Sequence, residues 1–460
     1  VLLALPTHAH RAELAAMGAP WIDLVCCDLY PLEEEIANPK ATRESVIDKT
    51  DIGGPTLLRA AAKGRRIVVC DVPSRQRVLT WLAAGCPEED RFITEHCAIA
   101  EARVAEYGLA SARYHAAGGI DGMVGRRVQI LRYGENPFQE AAFYAVGDHP
   151  LAFHHFHQVG GTDPSFINAT DLDRACRTMV NIAMALEDNG LQDHTDIAIA
   201  VKHGNPCGVG VGRNMAYALT RMIDGDRMAI FGAVVLTNFP ITEERARMLR
   251  EYGMEEGKFR LLDGVITPAV SSGVCEVLER KGGKCRVLVN RSLGNLNRRM
   301  LPRVQYRSTL GGFLRQEGEP FVLFLDDERM ERQGDLTPQQ RMDMVLAWAI
   351  GSTSVSNTVT LVKNGMLIGN GVGQQARVRA AKLALMIARE SRHDPSGAVA
   401  YSDSFFPEAD GLMVLAEAGV KAVFASSGSV RDAVVREAAK SKGITLWQLP
   451  DKVCRGFFGH

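Results

Sequence analysis

Two adjacent basic side chains stand where an apolar stretch of the sequence stops. Residues 197 to 212 read I-A-I-A-V-K-H-G-N-P-C-G-V-G-V-G, so Lys202 and His203 follow a run typical of a buried strand and precede a Gly-Asn-Pro-Cys-Gly turn. Both side chains need polar partners, and loops at strand ends are where α/β proteins place their chemistry. The pair is therefore a candidate for catalysis or binding. A solvated lysine beside a core histidine bonded to a carbonyl is equally consistent with these residues alone.

A glycine-rich segment at 369 to 377 is a second candidate site. It reads G-N-G-V-G-Q-Q-A-R, with three glycines at alternate positions before a helix. This pattern predicts a cradle of backbone N–H groups for an anion, to which Arg377 in the first helical turn adds charge. It is not the G-x-G-x-x-G fingerprint, so it does not indicate NAD. The segment Asp51-Ile-Gly-Gly-Pro also opens a helix whose amides would suit an anion, although a lone Gly-Gly more often marks a junction without a ligand.

Three further sites stand out within apolar or turn-rich segments. Arg132 beside Tyr133 would hold a phosphate or stack on a base, although polar turns of this kind more often cap a domain. Gly232 lies inside the apolar run 228 to 237, which predicts close approach of a ligand or a neighbouring backbone. Asp263 lies at a turn inside the run 260 to 268, where a charge is expensive unless it is paired.

Composition narrows the class of protein. A chain of 460 residues is too long to fold around a single hydrophobic core. Its content of 46% hydrophobic and 23% charged residues is ordinary for a globular protein. A net charge of -1 gives no basic field for nucleic acid, and no run approaches the ~20 apolar residues of a membrane span. The ten cysteines are scattered without a C-x-x-C, which favours reduced thiols and the cytosol. Pro206-Cys207 matches half of the zinc-deaminase signature, but position 210 is glycine, so catalytic zinc is not expected.

Hydrophobic periodicity and turn residues predict the elements that position these groups. Apolar runs alternate with helical stretches throughout residues 1 to 125, which predicts a parallel α/β sheet. Glycines near 118 to 125 read as a linker, and a polar, acidic stretch that ends near Asp335 favours another boundary. A helix is expected from 172 to 186 with Thr170 or Asp171 as its N-cap, and a hairpin turn at Asn364-Gly365. Three domains follow: 1–125, 126–330 and 331–460.

Several separated motifs together resemble the bifunctional purine-biosynthesis family that combines AICAR transformylase with IMP cyclohydrolase. They are L-R-Y-G-E-N-P at 131–137, V-K-H-G-N-P-C-G at 201–208, Ser356-Asn357, G-x-G-x-G-Q-Q-x-R at 369–377, S-D-S-F-F-P at 402–407 and G-S-V-R-D at 428–432. The resemblance covers nearly the whole chain. It implies a methylglyoxal-synthase-like parallel α/β domain, truncated at its start, followed by two cytidine-deaminase-like α/β subdomains in a homodimer with shared active sites.

The resemblance also implies a reaction. A formyl group passes from 10-formyltetrahydrofolate, a co-substrate, to the 5-amino group of AICAR, and the product FAICAR is closed to IMP without a metal. His203 would act as the base, Lys202 would stabilise the oxyanion or protonate the leaving nitrogen, and Asn357 would hold His203 and the carboxamide in register. Arg377 is the expected phosphate ligand. The AICAR-binding positions carried over are Arg132, Tyr133, Asn168, Phe231, Gly232, Asp263, Arg377, Phe405 and Arg455, and those of the cyclohydrolase are Tyr30, Asp51 and Lys63.

This chain departs from the family pattern at several points. The family's glycine-rich phosphate loop and a lysine in a K-T-L-H-P-like stretch would precede Val1, so we expect a weak or inactive cyclohydrolase half as written. Asp28 stands where the family usually has Asn, and Phe138 where it has His. The segment after Arg455 is also longer than in the family. Two other classes remain open: a non-catalytic nucleotide-binding protein on the same scaffold, and a zinc hydrolase of the deaminase type.

Overall fold

The computed structural model describes residues 1–191, 193, 195–318 and 321–460. The chain divides into two compact units, Val1–Arg127 with Tyr144–Val146, and Val128–Phe143 with Gly147–His460. The boundaries at 125/126 and 330/331 stay predictions. Within the described residues, no helix combines the length and apolarity needed to span a bilayer.

The first unit is a small α/β structure. Its two strands pair in parallel, with Leu24 opposite Ile67, and Leu58 and Val68 lie in its core. Asp71 caps the fifth helix in a capping box with Ser74, which explains why that helix follows the second strand so closely. The elements are α1 (His8–Ala16), β1 (Leu24–Cys26), α2 (Leu32–Ala37), α3 (Arg43–Asp48), α4 (Gly53–Lys63), β2 (Ile67–Val69), α5 (Val72–Ala83) and α6 (Glu89–Ala116).

The next strands pair with each other and with no other described strand. They are β3 (Arg126–Leu131) and β4 (Ala141–Ala145).

The second unit holds one large mixed sheet. Among the described residues twelve strands form it, in the order β13-β18-β17-β16-β14-β15-β7-β6-β8-β9-β10-β5. Its first elements are β5 (His157–Gly160), α7 (Phe166–Asp188), β6 (Asp196–Lys202), β7 (Asn205–Gly212), α8 (Met215–Asp224), β8 (Val234–Thr237), α9 (Glu243–Glu251), β9 (Gly264–Thr267), α10 (Val274–Leu278) and β10 (Arg286–Val289). A hairpin of β11 (Val304–Thr309) and β12 (Gly312–Glu317) forms a sheet of its own.

The remaining elements repeat the arrangement of the first. They are β13 (Glu331–Gln333), α11 (Pro338–Gly351), β14 (Val359–Lys363), β15 (Met366–Gly371), α12 (Arg377–Glu390), β16 (Val399–Ser402), α13 (Asp410–Glu417), β17 (Ala422–Ser427), α14 (Asp432–Ser441), β18 (Thr445–Pro450) and α15 (Asp451–Cys454). Each half has a buried helix, an antiparallel hairpin and three further strands separated by helices. The halves join where Met366 of β15 pairs with Gly210 of β7, and α7 and α11 lie in one shared hydrophobic core.

The alternate glycines of β15 serve helix packing. A Cβ on Gly369 would lie 2.2 Å from the Ala384 carbonyl oxygen of α12, and one on Gly371 would lie 2.0 Å from that of Ala380. Glycine is required because the helix backbone approaches the strand too closely for any side chain. The predicted anion cradle at 369 to 373 is therefore wrong for its first two glycines, which lie in a buried strand.

Some boundaries differ from the predictions. The apolar run 228 to 237 forms a strand only at Val234–Thr237. Gly232 precedes this strand with φ 76°; no atom lies within 4 Å of where a Cβ would be, and its N–H donates to the Leu261 carbonyl oxygen at 2.7 Å. The expected helix at 172 starts earlier, at Phe166. Its N-cap is Ser165, in a capping box with Asn168, and neither Thr170 nor Asp171 caps it. The periodic apolar pattern begins only after this capped first turn, so the pattern alone placed the start too late.

Candidate active site

The Lys202-His203 pair lies at the tip of the β6–β7 hairpin. His203 has φ 52° and Gly204 φ 73°, and Lys202 pairs with Asn205, which makes a two-residue turn with both central residues left-handed. The Gly-Asn-Pro-Cys-Gly stretch, predicted as a turn, is instead mostly the start of strand β7. His203 is exposed, whereas Lys202 Nζ donates to the Phe231 carbonyl oxygen at 2.7 Å. At the hairpin tip the Lys202 ammonium is thus held against a carbonyl oxygen, and the His203 imidazole is exposed to solvent.

The buried carboxylate of Asp171 forms a hydrogen bond with the backbone of this turn. Asp171 is 6% exposed, and its Oδ1 accepts from Gly204 N at 2.6 Å. Burial raises the pKa of Asp171 to about 6, although the Gly204 N–H and the nearby His203 favour the ionised form. No sequence pattern indicated this role, because Asp171 lies in a helix far from residue 204 along the chain.

Asn357 is held by side chain and backbone groups of the neighbouring segment. Its Oδ1 accepts from Arg377 Nη2 at 2.7 Å, and its Nδ2 donates to the Gln374 carbonyl oxygen at 2.7 Å. Arg377 Nη1 in turn donates to Asp403 and to Ser402. Asp403 also accepts from Thr358 N at 2.9 Å, so this buried carboxylate organises both Arg377 and the 356–358 segment.

Arg377, the expected phosphate ligand, is buried among protein groups in this structure. The residue is 8% exposed and lies at the start of α12. Both terminal nitrogens already bond to protein groups, namely Ser402, Asp403 and Asn357. Buried charges require such partners, and here the partner is a carboxylate that competes directly with a phosphate. In this arrangement Arg377 acts by holding Asn357.

A hydrogen bond joins the hairpin tip to the Asn357 segment. Val355 N donates to Asn205 Oδ1 at 3.0 Å, and Asn370 Nδ2 donates to the Pro206 carbonyl oxygen at 3.1 Å. Asn205 lies two residues after His203, and Val355 two residues before Asn357. The structure thereby brings the two halves of the predicted catalytic set to the same junction between the repeated halves of the sheet.

An open cavity of about 530 Å³ lies beside Asn357. Four predicted site residues line it together with Phe457, and Lys202 and His203 are not among its lining residues. The predicted residues in its wall are Asn357, Arg377, Phe405 and Arg455. Arg455 is exposed, bonds to Asp451, and lies over the Phe457 ring at 5.1 Å.

A second group of predicted residues surrounds Asp263. Arg280 Nη1 donates to Asp263 Oδ1 at 2.6 Å, which supplies the partner that the sequence required. Arg286 is 6% exposed, and burial lowers the pKa of its guanidinium. The nearby Asp263 and Tyr133 raise this pKa, whereas Arg132 lowers it further. Arg132 lies over the Tyr133 ring at 5.9 Å. This cluster adds two arginines, at 280 and 286, that the motifs did not single out.

The other members of the predicted set have local structural roles as well. Asn168 Oδ1 accepts from Ser165 N at 3.0 Å in the capping box of α7. Phe231 is exposed, and its carbonyl holds Lys202. Phe138, the departure from the family pattern, is 85% exposed and so touches little of the protein.

In the first unit, two of the three predicted cyclohydrolase residues meet. Asp51 Oδ2 accepts from Tyr30 N at 3.3 Å, and its Oδ1 accepts from Gly54 N at 2.7 Å. Asp51 therefore accepts a hydrogen bond from Gly54 N, one of the helix amides that were predicted to bind an anion. Lys63 is the last residue of α4, about 15 Å along the axis from Gly53. The residue that reasoning from sequence missed is Tyr107, whose hydroxyl accepts from Asp51 N at 2.7 Å.

Comparison with known proteins decides the family. Residues 61–387 match the family model described as the AICARFT/IMPCHase bienzyme. The chain belongs to this family. The resemblance noted from its motifs is confirmed, and the mixed α/β fold of this chain, with its large sheet, is consistent with the family.

Curated bienzyme relatives extend over most of the chain. The "Bifunctional purine biosynthesis protein PurH" of Acidithiobacillus ferrooxidans is 32% identical over 455 residues, covering 95% of this chain and 82% of the relative. Those of Chlorobium phaeobacteroides and Bacillus cytotoxicus are 33% and 32% identical, covering 96% and 95% of this chain and 82% of each relative. A solved structure titled "Crystal structure of ForH" is 30% identical over 26% of this chain and 62% of that chain, with a TM-score of 0.22.

Proposed function

We propose that this chain transfers a formyl group from 10-formyltetrahydrofolate to the 5-amino group of AICAR, which gives FAICAR. We further propose that residues 1–125 contribute to the closure of FAICAR to IMP. Membership in the bienzyme family and relatives named bifunctional purine biosynthesis proteins support both steps. The observation that carries the first step is the hydrogen bond from Val355 N to Asn205 Oδ1, because it joins the Lys202-His203 turn to the Asn357 segment.

In this mechanism His203 is the general base. The amine of AICAR is a poor nucleophile because its lone pair is delocalised into the ring and carboxamide, so attack requires both proton removal and orientation. The exposed imidazole accepts the amine proton as the nitrogen bonds to the formyl carbon. Lys202 stabilises the tetrahedral oxyanion and delivers a proton to the departing folate nitrogen. Its bond to the Phe231 carbonyl oxygen supports a fixed position for the ammonium.

Asn357 orients the acceptor. Its amide is fixed by Arg377 and Gln374, so it meets the AICAR carboxamide without reorganising during the reaction. We propose that the nucleotide extends between the cavity beside Asn357 and the Asp263 cluster. In this proposal the exposed guanidinium groups of Arg132 and Arg455 contact the phosphate, and Arg455 exchanges its bond to Asp451 for one to the phosphate. The full set proposed for AICAR is Arg132, Tyr133, Asn168, Phe231, Gly232, Asp263, Arg377, Phe405 and Arg455.

The finer architecture and assembly belong to the same proposal. The repeated halves of the second unit support two cytidine-deaminase-like subdomains after a methylglyoxal-synthase-like domain. We also propose a cytosolic homodimer with shared active sites, which the ten free cysteines and the open cavity at Asn357 support. Light scattering coupled to gel filtration tests the dimer, and a species of one chain mass at all concentrations contradicts it.

Turnover tests the transformylase. The protein is incubated with AICAR and 10-formyltetrahydrofolate, and tetrahydrofolate release is followed. His203→Ala is expected to lower kcat by about 10²–10⁴-fold, the usual contribution of a general base. His115→Ala, an exposed histidine in α6, is the matched control and should leave kcat unchanged. No turnover from a folded protein, or equal kcat for His203→Ala and wild type, overturns the proposal.

The cyclohydrolase step is tested separately with FAICAR as the only substrate. Tyr30, Asp51 and Lys63 are the proposed residues, and the contact of Asp51 with the Tyr30 amide supports the first two. IMP formation that falls in Asp51→Asn but not in His203→Ala assigns the step to the first unit. Equal IMP formation in wild type and Asp51→Asn contradicts that assignment.

A further inference from the structure

Three side chains with metal-binding atoms meet away from the proposed active site. One ligand atom each of Asp148, His154 and His155 lies within 4.8 Å of the other two. No other group of three or more His, Cys, Asp or Glu in the described part of the chain meets this criterion. His155 Nε2 and Asp148 Oδ1 are already 2.7 Å apart. The cluster therefore brings two imidazoles and one carboxylate to one point.

The protein core holds the two imidazoles in place. His154 and His155 belong to a short 3-10 helix at Phe153–His155, and their ring centroids are 4.1 Å apart. Phe153 and Phe156 on either side are both buried, at 6% and 8% exposure. Phe143 packs against both Phe153 and His154, with centroid distances of 5.4 and 5.9 Å. The histidine pair is thus anchored at both ends, which reduces the entropy lost when an ion binds.

The surroundings leave room for further ligands. Asp148, His155 and His157 line an open cavity of about 810 Å³. A tetrahedral ion with bonds of about 2.0–2.2 Å places its ligand atoms roughly 3.4 Å apart. The three ligand atoms lie within 4.8 Å of one another, so side-chain rotations of Asp148 and the two histidines would have to bring them to this spacing. Arg291 lines the same cavity, so its positive charge opposes a cation and the affinity must come from the donor atoms.

We propose that Asp148, His154 and His155 bind one first-row divalent transition-metal ion, Zn²⁺ foremost, with His157 or water as the fourth ligand. Imidazole nitrogen favours Zn²⁺, Ni²⁺ and Cu²⁺, whereas Mg²⁺ and Ca²⁺ prefer sites made of oxygen atoms. Formyl transfer as proposed has no step at this site. The proposed ion site can therefore be tested independently of the proposed transformylase activity.

Calorimetric titration with Zn²⁺ tests the site in the full chain, without an affinity tag and after treatment with a chelator. One ion per chain is expected. His155→Asn and Asp148→Asn should each weaken binding by at least about 10-fold, and His115→Asn should not change it. Asp148 is exposed, so its replacement by the isosteric Asn should not disturb folding, which circular dichroism checks.

Cobalt substitution separates this site from the ten free cysteines. Co²⁺ bound by nitrogen and oxygen lacks the sulfur-to-metal charge-transfer band that thiolate ligands produce. Wild type is expected to give a spectrum without that band, and His155→Asn should lose the spectrum. Absence of binding to wild type, unchanged affinity in both variants, or a thiolate band overturns the proposal.

Discussion

Arg377 Nη2 donates to Asn357 Oδ1 at 2.7 Å, and Asp403 holds the other end of the same guanidinium. The Arg377 and Asp403 side chains are only 7% and 0% exposed. Removing one partner of a charge pair this deeply buried leaves the other charge without compensation in the interior. Orientation of the proposed substrate amide thus depends on a carboxylate that has no direct route to the substrate.

Asp403→Asn is therefore expected to lower the free energy of unfolding by about 3–5 kcal/mol, because it leaves the Arg377 charge buried without a counter-charge. Urea denaturation measures this change. Glu243→Gln, which breaks an exposed i,i+4 pair with Arg247, is the matched control and should cost less than about 0.5 kcal/mol. Equal losses in the two variants would show that the buried pair has no special importance.

Asp171 predicts a pH dependence of stability. Its pKa of about 6 in the folded protein exceeds the value of 3.8 for a free side chain, so the folded state binds the proton more tightly. This contribution to the free energy of unfolding is fully present below pH 3.8 and is lost as the pH rises through 6. The shift of about 2 units corresponds to roughly 3 kcal/mol.

Asp171→Asn removes this titration and keeps an oxygen acceptor for Gly204 N. The free energy of unfolding of the variant minus that of wild type should therefore increase by roughly 3 kcal/mol from well below pH 3.8 to well above pH 6. Urea denaturation across this range measures the difference. Asp171→Ala, which also loses the acceptor, should be less stable than Asp171→Asn at every pH. A pH-independent difference between Asp171→Asn and wild type would contradict the assigned pKa.

The close approach of β15 to α12 makes a prediction about glycine. Gly371→Ala places a Cβ 2.0 Å from the Ala380 carbonyl oxygen, so backbone must move, and we expect a loss of about 1–3 kcal/mol in the free energy of unfolding. Gly53→Ala is the matched control. No atom lies within 4 Å of the added methyl group and φ is not positive, so stability should rise by up to about 1 kcal/mol. Thermal unfolding compares the two.

Local features of the fold could be predicted from the sequence, whereas long-range contacts could not. The Asn364-Gly365 hairpin was predictable, because turn chemistry is a local property of the sequence. Asp171 and Asp403 were not, since each acts on a segment more than 25 residues away in the sequence. The glycines of β15 were misinterpreted because close helix packing and an anion loop use the same residue type.

The hydroxyl of Tyr107 in the first unit has two backbone partners. It accepts from Asp51 N and donates to the Lys49 carbonyl oxygen at 2.9 Å, and the side chain is 3% exposed. Tyr107→Phe leaves both groups without this partner, so a loss of about 1–3 kcal/mol is expected, together with faster hydrogen exchange at Asp51 N. Tyr144→Phe, an exposed tyrosine, should change neither. Unchanged exchange at Asp51 N in Tyr107→Phe would disprove the anchoring role.

Asn205 offers the most direct test of the junction between the catalytic turn and the Asn357 segment. Asn205→Ala removes the acceptor for Val355 N and the Nδ2 donor to the His203 carbonyl oxygen, and it keeps the side chains of Lys202, His203 and Asn357. We expect kcat for formyl transfer to fall by about 10²-fold, because misplacement of catalytic groups by about 1 Å has this effect. Asn205→Asp restores an oxygen acceptor for Val355 N and should recover much of the lost rate. A merely structural role would lower stability in Asn205→Ala without this rescue pattern, so kcat and the urea midpoint are measured on the same preparations. If Asn205→Ala retains the wild-type kcat, the hydrogen bond to Val355 does not position the catalytic groups.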